Sequence, residues 1–168
     1  MNKRSFIGGI IIGAVAALFI IPLLFKFSAQ NMLFKQVISP YSFEKTVKIL
    51  KQRISNQKGW HVVTVIDQEE EIKKYGGPDV GKVAIIKFCN AEYAGEMLSD
   101  DDTKFMAVKM PLSIAVYEDK KGTVKISLMN GYLLTRMLSG TKEAKIMEKV
   151  VRDIQNILGF VHFRYSIF

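Results

Sequence analysis

The chain has 168 residues, a formal net charge of +8, one cysteine and two histidines, enough for one hydrophobic core and no more beside a long apolar run. The lone Cys89 excludes an intrachain disulfide, and without HExxH, CxxC or CxxCH there is no motif-based zinc site or covalent c-type haem. The charge is spread as single lysines among acids, its tightest groups being Lys73-Lys74 and Lys120-Lys121; with no aromatic-studded basic groove, no nucleic-acid partner is expected.

The run Phe6 to Phe25, FIGGIIIGAVAALFIIPLLF, carries no charged or amide side chain. As a helix it spans about 30 Å, the thickness of a bilayer's hydrocarbon core. Its Leu, Ile, Phe and Val residues favour insertion by at most about 4 to 8 kcal/mol. The expectation is a single transmembrane helix that makes the lipid bilayer a partner, with 1–30 as anchor and tether and 31–168 as one α+β domain. Two other readings compete. In a removable secretory signal, Lys3 and Arg4 would be the basic start, but Lys26-Phe27-Ser28-Ala29-Gln30 offers no small-x-small cleavage site. A buried helix of a soluble core would need protein on every side, which so short a chain hardly supplies. Lys3, Arg4 and the α-amino group outweigh Lys26 and Lys35, so the N-terminus is expected in the cytoplasm and the C-terminal domain on the extracytoplasmic (periplasmic) side of the inner cell membrane. Pro22 falls near the outer end, where few helical turns follow it. Gly9, Gly13 and Ala17 share one helix face and would let a second copy approach, one ground for a homodimer.

Beyond a polar tether, Met32 to Ile38 reads as a strand, and Ser39-Pro40-Tyr41-Ser42 as a turn. Ser42 is placed to cap a helix whose apolar Phe43, Val47, Leu50 and Ile54 recur at helical spacing until Gly59. Trp60 to Ile66 is a β-branched strand, Asp67 to Tyr75 a short exposed helix stopped by Gly76-Gly77-Pro78, and Lys82 to Phe88 a third strand. Cys89 ends that strand, and Asn90 caps a helix from Ala91 to Leu98. An acidic loop, Ser99 to Asp102, and a short turn at Phe105 to Val108 lead to Met110-Pro111. Leu112 to Glu118 and Thr123 to Met129 form a hairpin around Asp119-Lys120-Lys121-Gly122. A short helix, Tyr132 to Leu138, precedes a longer one opened by Ser139-Gly140-Thr141, with Met147, Val150, Val151, Ile154 and Leu158 as its stripe. The tail Phe160 to Phe168 is too apolar for a free terminus; it folds back, lies on the membrane surface or pairs with its copy.

SPYSFEKTVKIL, KGWHVVTVID, KVAIIKFCN and MPLSIAVYEDKKGTVKIS, in that order and spacing, resemble the uncharacterised family catalogued as domain of unknown function 302, from about Ser39 to Leu158. The resemblance implies an α+β domain with an antiparallel-rich mixed sheet and helices on one face, and no established activity. Relatives commonly carry Cys-Asn-Pro at the third strand end and a second Cys after Met-Pro. Here Ala91 and Leu112 stand there, which undercuts a two-cysteine redox mechanism.

Cys89 is the sharpest candidate, because a strand-end thiol facing a helix N-terminus is favoured as thiolate, able to attack, carry sulfur or bind haem iron; the plain alternative is a small buried apolar side chain. His61 alternates with Trp60, so one of the two looks away from the core, and an exposed histidine is the simpler outcome. Met106 and Met110 offer thioethers, though methionine more often fills core gaps. Asp100-Asp101-Asp102 lacks the alternation and glycine of a calcium loop. With no nucleophile–base pair or phosphate loop, the reading is a non-enzymatic binding or accessory domain with a pocket between sheet and helices near Cys89, Asn90, Met106, Met110 and His61, its small-molecule ligand unnamed. The alternative is a thiol-dependent redox, sulfur-handling or haem-binding protein using Cys89.

Overall fold

The computed structural model describes residues 32–161, together with Gly13 and Leu18. The span expected over 6–25 otherwise lies outside the described residues, as does the tail from residue 162. Among the described residues no helix is long and apolar enough to cross a membrane.

Five strands form one sheet in the order β1-β5-β4-β3-β2: β1 Phe34–Ile38, β2 Trp60–Asp67, β3 Val83–Asn90, β4 Leu112–Glu118 and β5 Val124–Met129. Every neighbouring pair is antiparallel, which corrects the expected mixed sheet. The strand–helix–strand opening does leave β1 and β2 running the same way, but they lie at opposite edges and the later strands fill the gap between them. β1 begins at Phe34 because Met32 and Leu33 are helical. Its place is fixed by Asn130, whose backbone N–H donates to Leu33 O at 2.8 Å and whose side-chain amide donates to Met32 O at 2.8 Å.

Alternation along the strands divides the sheet. Ala84, Ile86 and Phe88 of β3, Ile114 and Val116 of β4, and Val124, Ile126 and Leu128 of β5 are buried on one face, as the period of two requires. Two long helices supply the opposite half of that core. The first, α1 (Phe43–Asn56), is capped by Ser42, whose hydroxyl accepts from the Lys45 amide, and it turns fully buried Leu50 and Ile54 inward, each stabilising by about 1.5–3 kcal/mol. It ends at Asn56, before the expected Gly59, which turns the chain into β2 at φ +80°. The short exposed α2 (Gln68–Lys74), capped by Asp67, links β2 to β3. Beyond β3, α3 (Ala91–Leu98) is followed by a 3-10 helix, Asp101–Lys109, where a short turn was expected. After β5, α4 (Gly131–Met137) leads to α5 (Lys142–Ile157). The expected stripe of α5 is buried, together with Ala144, Ile146 and Ile157, while Lys142, Lys145, Lys149 and Arg152 face solvent.

Candidate functional site

β3 and β5 end, and β1 and β4 begin, at the same end of the sheet. There α3, the 3-10 helix, α4 and α5 close around a cavity of about 500 Å³, within the usual range for small-molecule pockets. Its wall comes from both sheet faces. On the open face it takes in Ile85, Lys87, Cys89, Ser113, Ala115 and Ser127; on the helix side it reaches Met97, Ile146, Met147 and Val150. The rim includes Phe34 and Met129, paired across β1 and β5, and Val108, which is 82% exposed. The cavity therefore wraps around the sheet end and is not confined between sheet and helices as expected.

Four of the five expected residues line it: Cys89, Asn90, Met106 and Met110. They play different parts. Asn90 is buried on the helix side, and its Oδ1 accepts from the Glu92 and Tyr93 amides at 3.1 Å each. Strand alternation turns Cys89 the other way, onto the open face, where its Sγ lies 3.8 Å from Asn90 O. Of the two readings of Cys89 this weighs against the thiolate: the Glu92 and Tyr93 amides of α3 are taken by Asn90, and burial pushes the Cys89 thiol up from its ordinary pKa. Met106 packs in a buried cluster with Met97, Ile146 and Met147, with Met110 half-buried against it, so its thioether fills core space. His61 is exposed and does not line the cavity, yet the ladder places it opposite Cys89. Among the described residues no group of three or more His, Cys, Asp and Glu side chains is placed to hold a metal ion.

Trp60 lines the helix side of the cavity; its ring lies 5.4 Å from Phe88 and edge-on to Tyr93 at 6.1 Å. Its indole N–H donates to Asp153 Oδ2 at 2.8 Å, and Gln57 Nε2 donates to Oδ1 of the same carboxylate at 3.0 Å, so α5 holds the start of β2. Sequence reasoning passed over Lys87 and Ser113, whose side chains meet at 2.8 Å on the open face. The signal was present: Lys87 is the one charged residue on the Ile85-Lys87-Cys89 face of a strand otherwise apolar there. Among the described residues no acidic side chain lines the cavity, and the charged ones that do are Lys87 and Lys109.

A family described as "Domain of unknown function DUF302" matches residues 35–161. The crystal structure of an uncharacterized conserved DUF302 protein from Bacillus stearothermophilus is similar to the chain at a TM-score of 0.66 and 19% identity, covering 77% of this chain and 98% of that one. No curated protein matches the sequence.

Proposed function

The chain belongs to the DUF302 family, and from that premise we propose that it is a membrane-anchored, non-enzymatic binding domain on the extracytoplasmic side whose cavity takes an apolar small molecule. The observation that carries this reading is the apolar cavity of about 500 Å³ at the sheet end where the chain arrives from residues 6–25. Only residues 26–31 separate the proposed span from Met32, and six extended residues reach at most about 20 Å. Phe34, two residues further on, is part of the rim. The cavity mouth thus stays close to the bilayer surface, the main store of apolar molecules in a cell.

Thiol chemistry at Cys89, with sulfur species or haem, is the other reading. It draws on the exposed His61 opposite Cys89, but burial that raises the thiol's pKa leaves little thiolate at neutral pH.

Two measurements on the full chain test the proposal. The chain is expected to resist carbonate extraction; recovery in the soluble fraction without N-terminal cleavage ends the anchor. Reconstituted in phosphatidylcholine vesicles, it is expected to show a saturable change in the emission of Trp60, its single tryptophan, on titration with dodecanol. Ala115→Phe, which places a ring in the cavity wall, is expected to remove that change. No saturable response in the parent chain ends the binding reading.

A further inference from the structure

We infer that the cavity is built for a single-chain amphiphile with a carboxylate head, held by Lys87 and Ser113, its chain running around the sheet end toward the methionine cluster. This rests on the binding reading above and adds the ligand's class. Lys87 Nζ donates to Ser113 Oγ at 2.8 Å. That bond uses one of the ammonium's three donors and leaves the serine's own O–H free to donate elsewhere. Two donors, one of them cationic, therefore converge on the open face with no acceptor assigned to them. Among the described residues no ion pair involves Lys87, and none of them brings a carboxylate to the cavity wall to neutralise it. The Lys87–Ser113 bond is solvent-exposed, and an anion whose chain also fills the apolar space turns this exposed pair of donors into a charge-assisted contact.

The head and chain positions follow from the sheet register. Lys87 and Ser113 are partners across β3 and β4, and the next pair on the same face is Ile85 with Ala115, which in turn faces Ser127 of β5. A head at Lys87 and Ser113 is thus flanked by small or apolar side chains on one side. On the other, the wall passes Cys89 and the rim residue Met110 to buried Met97, Met106 and Met147, unbranched side chains that adapt to a flexible chain. One ammonium and one hydroxyl match the single charge of a carboxylate; the second charge of a phosphate monoester would have only Lys109, on the exposed end of the 3-10 helix. Charge and shape both point to the carboxylate.

The test uses the full chain in phosphatidylcholine vesicles, read by Trp60 emission, with dodecanoate, dodecanol, dodecylammonium and dodecyl phosphate as probes. Dodecanoate is expected to saturate at a concentration about tenfold below dodecanol, and dodecylammonium above both. Lys87→Gln is expected to bring dodecanoate to the dodecanol value without moving dodecanol, and Lys87→Arg to keep the preference. Equal midpoints for dodecanoate and dodecanol overturn the head-group assignment and leave the apolar cavity standing. Tighter binding of dodecyl phosphate, or a preference carried by Lys109→Gln and not by Lys87→Gln, also overturns it. No saturable response to any probe removes the binding reading itself.

Discussion

His61 stands directly opposite Cys89 across the β2–β3 ladder, on the sheet face that the helices leave open. Such partners have Cβ atoms about 4.5–5.5 Å apart, near enough for an ion pair if the thiol ionised. Instead burial raises the Cys89 pKa. Cys89 should therefore alkylate slowly at pH 7, with a rate that reaches half its maximum only above about pH 8.5, the ordinary thiol value. His61→Ala should leave that profile unchanged, and dodecanol should slow the reaction by filling the cavity that Cys89 lines. Mass-spectrometric alkylation kinetics across pH decide it; a midpoint at or below pH 7 would restore the thiolate reading.

Asp153 joins α5 to the end of α1 and the start of β2, through Gln57 Nε2 and Trp60 Nε1. Asp153→Ala leaves the largely buried indole N–H without a partner and should cost about 1–3 kcal/mol in urea denaturation. Asp153→Asn keeps an acceptor for the indole and should cost less. Both should shift Trp60 emission. An Asp153→Ala chain as stable as its parent would show that this bridge is not made in solution.

Local chemistry was legible in the sequence wherever the partner lies within a few residues. Ser42, Asp67 and Asn90 cap the helices they were expected to cap or open, and Asp119 to Gly122 makes the hairpin turn, Gly122 at φ +77°. What was not legible depends on pairing between distant strands. Nothing local says that β1 joins β5 through Phe34 and Met129, and without that pair the rim at the sheet end is incomplete. The separation of Cys89 from Asn90 was within reach, since the alternation that sends Trp60 and His61 to opposite faces applies equally to them. It was masked because a strand end and a helix cap meet at Asn90, and the cap drew attention to the wrong face for the thiol.

Lys125 Nζ lies 2.8 Å from Asp119 Oδ2 in the hairpin. That bond, with the Thr123 and Lys121 amides, lowers the Asp119 pKa from 3.8 to about 2. A carboxyl whose folded pKa lies below its unfolded value adds stability that is fully present above the unfolded pKa and lost as pH falls through the folded one. The window is therefore about pH 4 down to pH 2. Asp119→Asn should melt below its parent at pH 7, and the gap should narrow to a small remainder by pH 2. Thermal melts at both pH values check this, and a gap that is the same at each would exclude the ionised turn as its source.

Gly59 and Asn90 meet where β2 begins and β3 ends, and their contact predicts a non-additive pair of substitutions. A Cβ on Gly59 would lie 2.7 Å from Asn90 Nδ2, and the residue already holds φ +80°. Gly59→Ala therefore combines a left-handed backbone penalty of about 1–2 kcal/mol with a clash against a side chain that cannot withdraw, because its Oδ1 holds two amides of α3. Asn90→Ala on its own removes that cap and should cost about 1–2 kcal/mol. In the double variant the clash is gone while the backbone and cap penalties remain. Its destabilisation should fall short of the sum of the single effects by about 1 kcal/mol, within the range for residues in contact. Urea denaturation of the four chains closes the cycle. Additivity to within about 0.3 kcal/mol would mean that Asn90 is free to move off Gly59, and that its hold on α3 is weaker than its two hydrogen bonds imply.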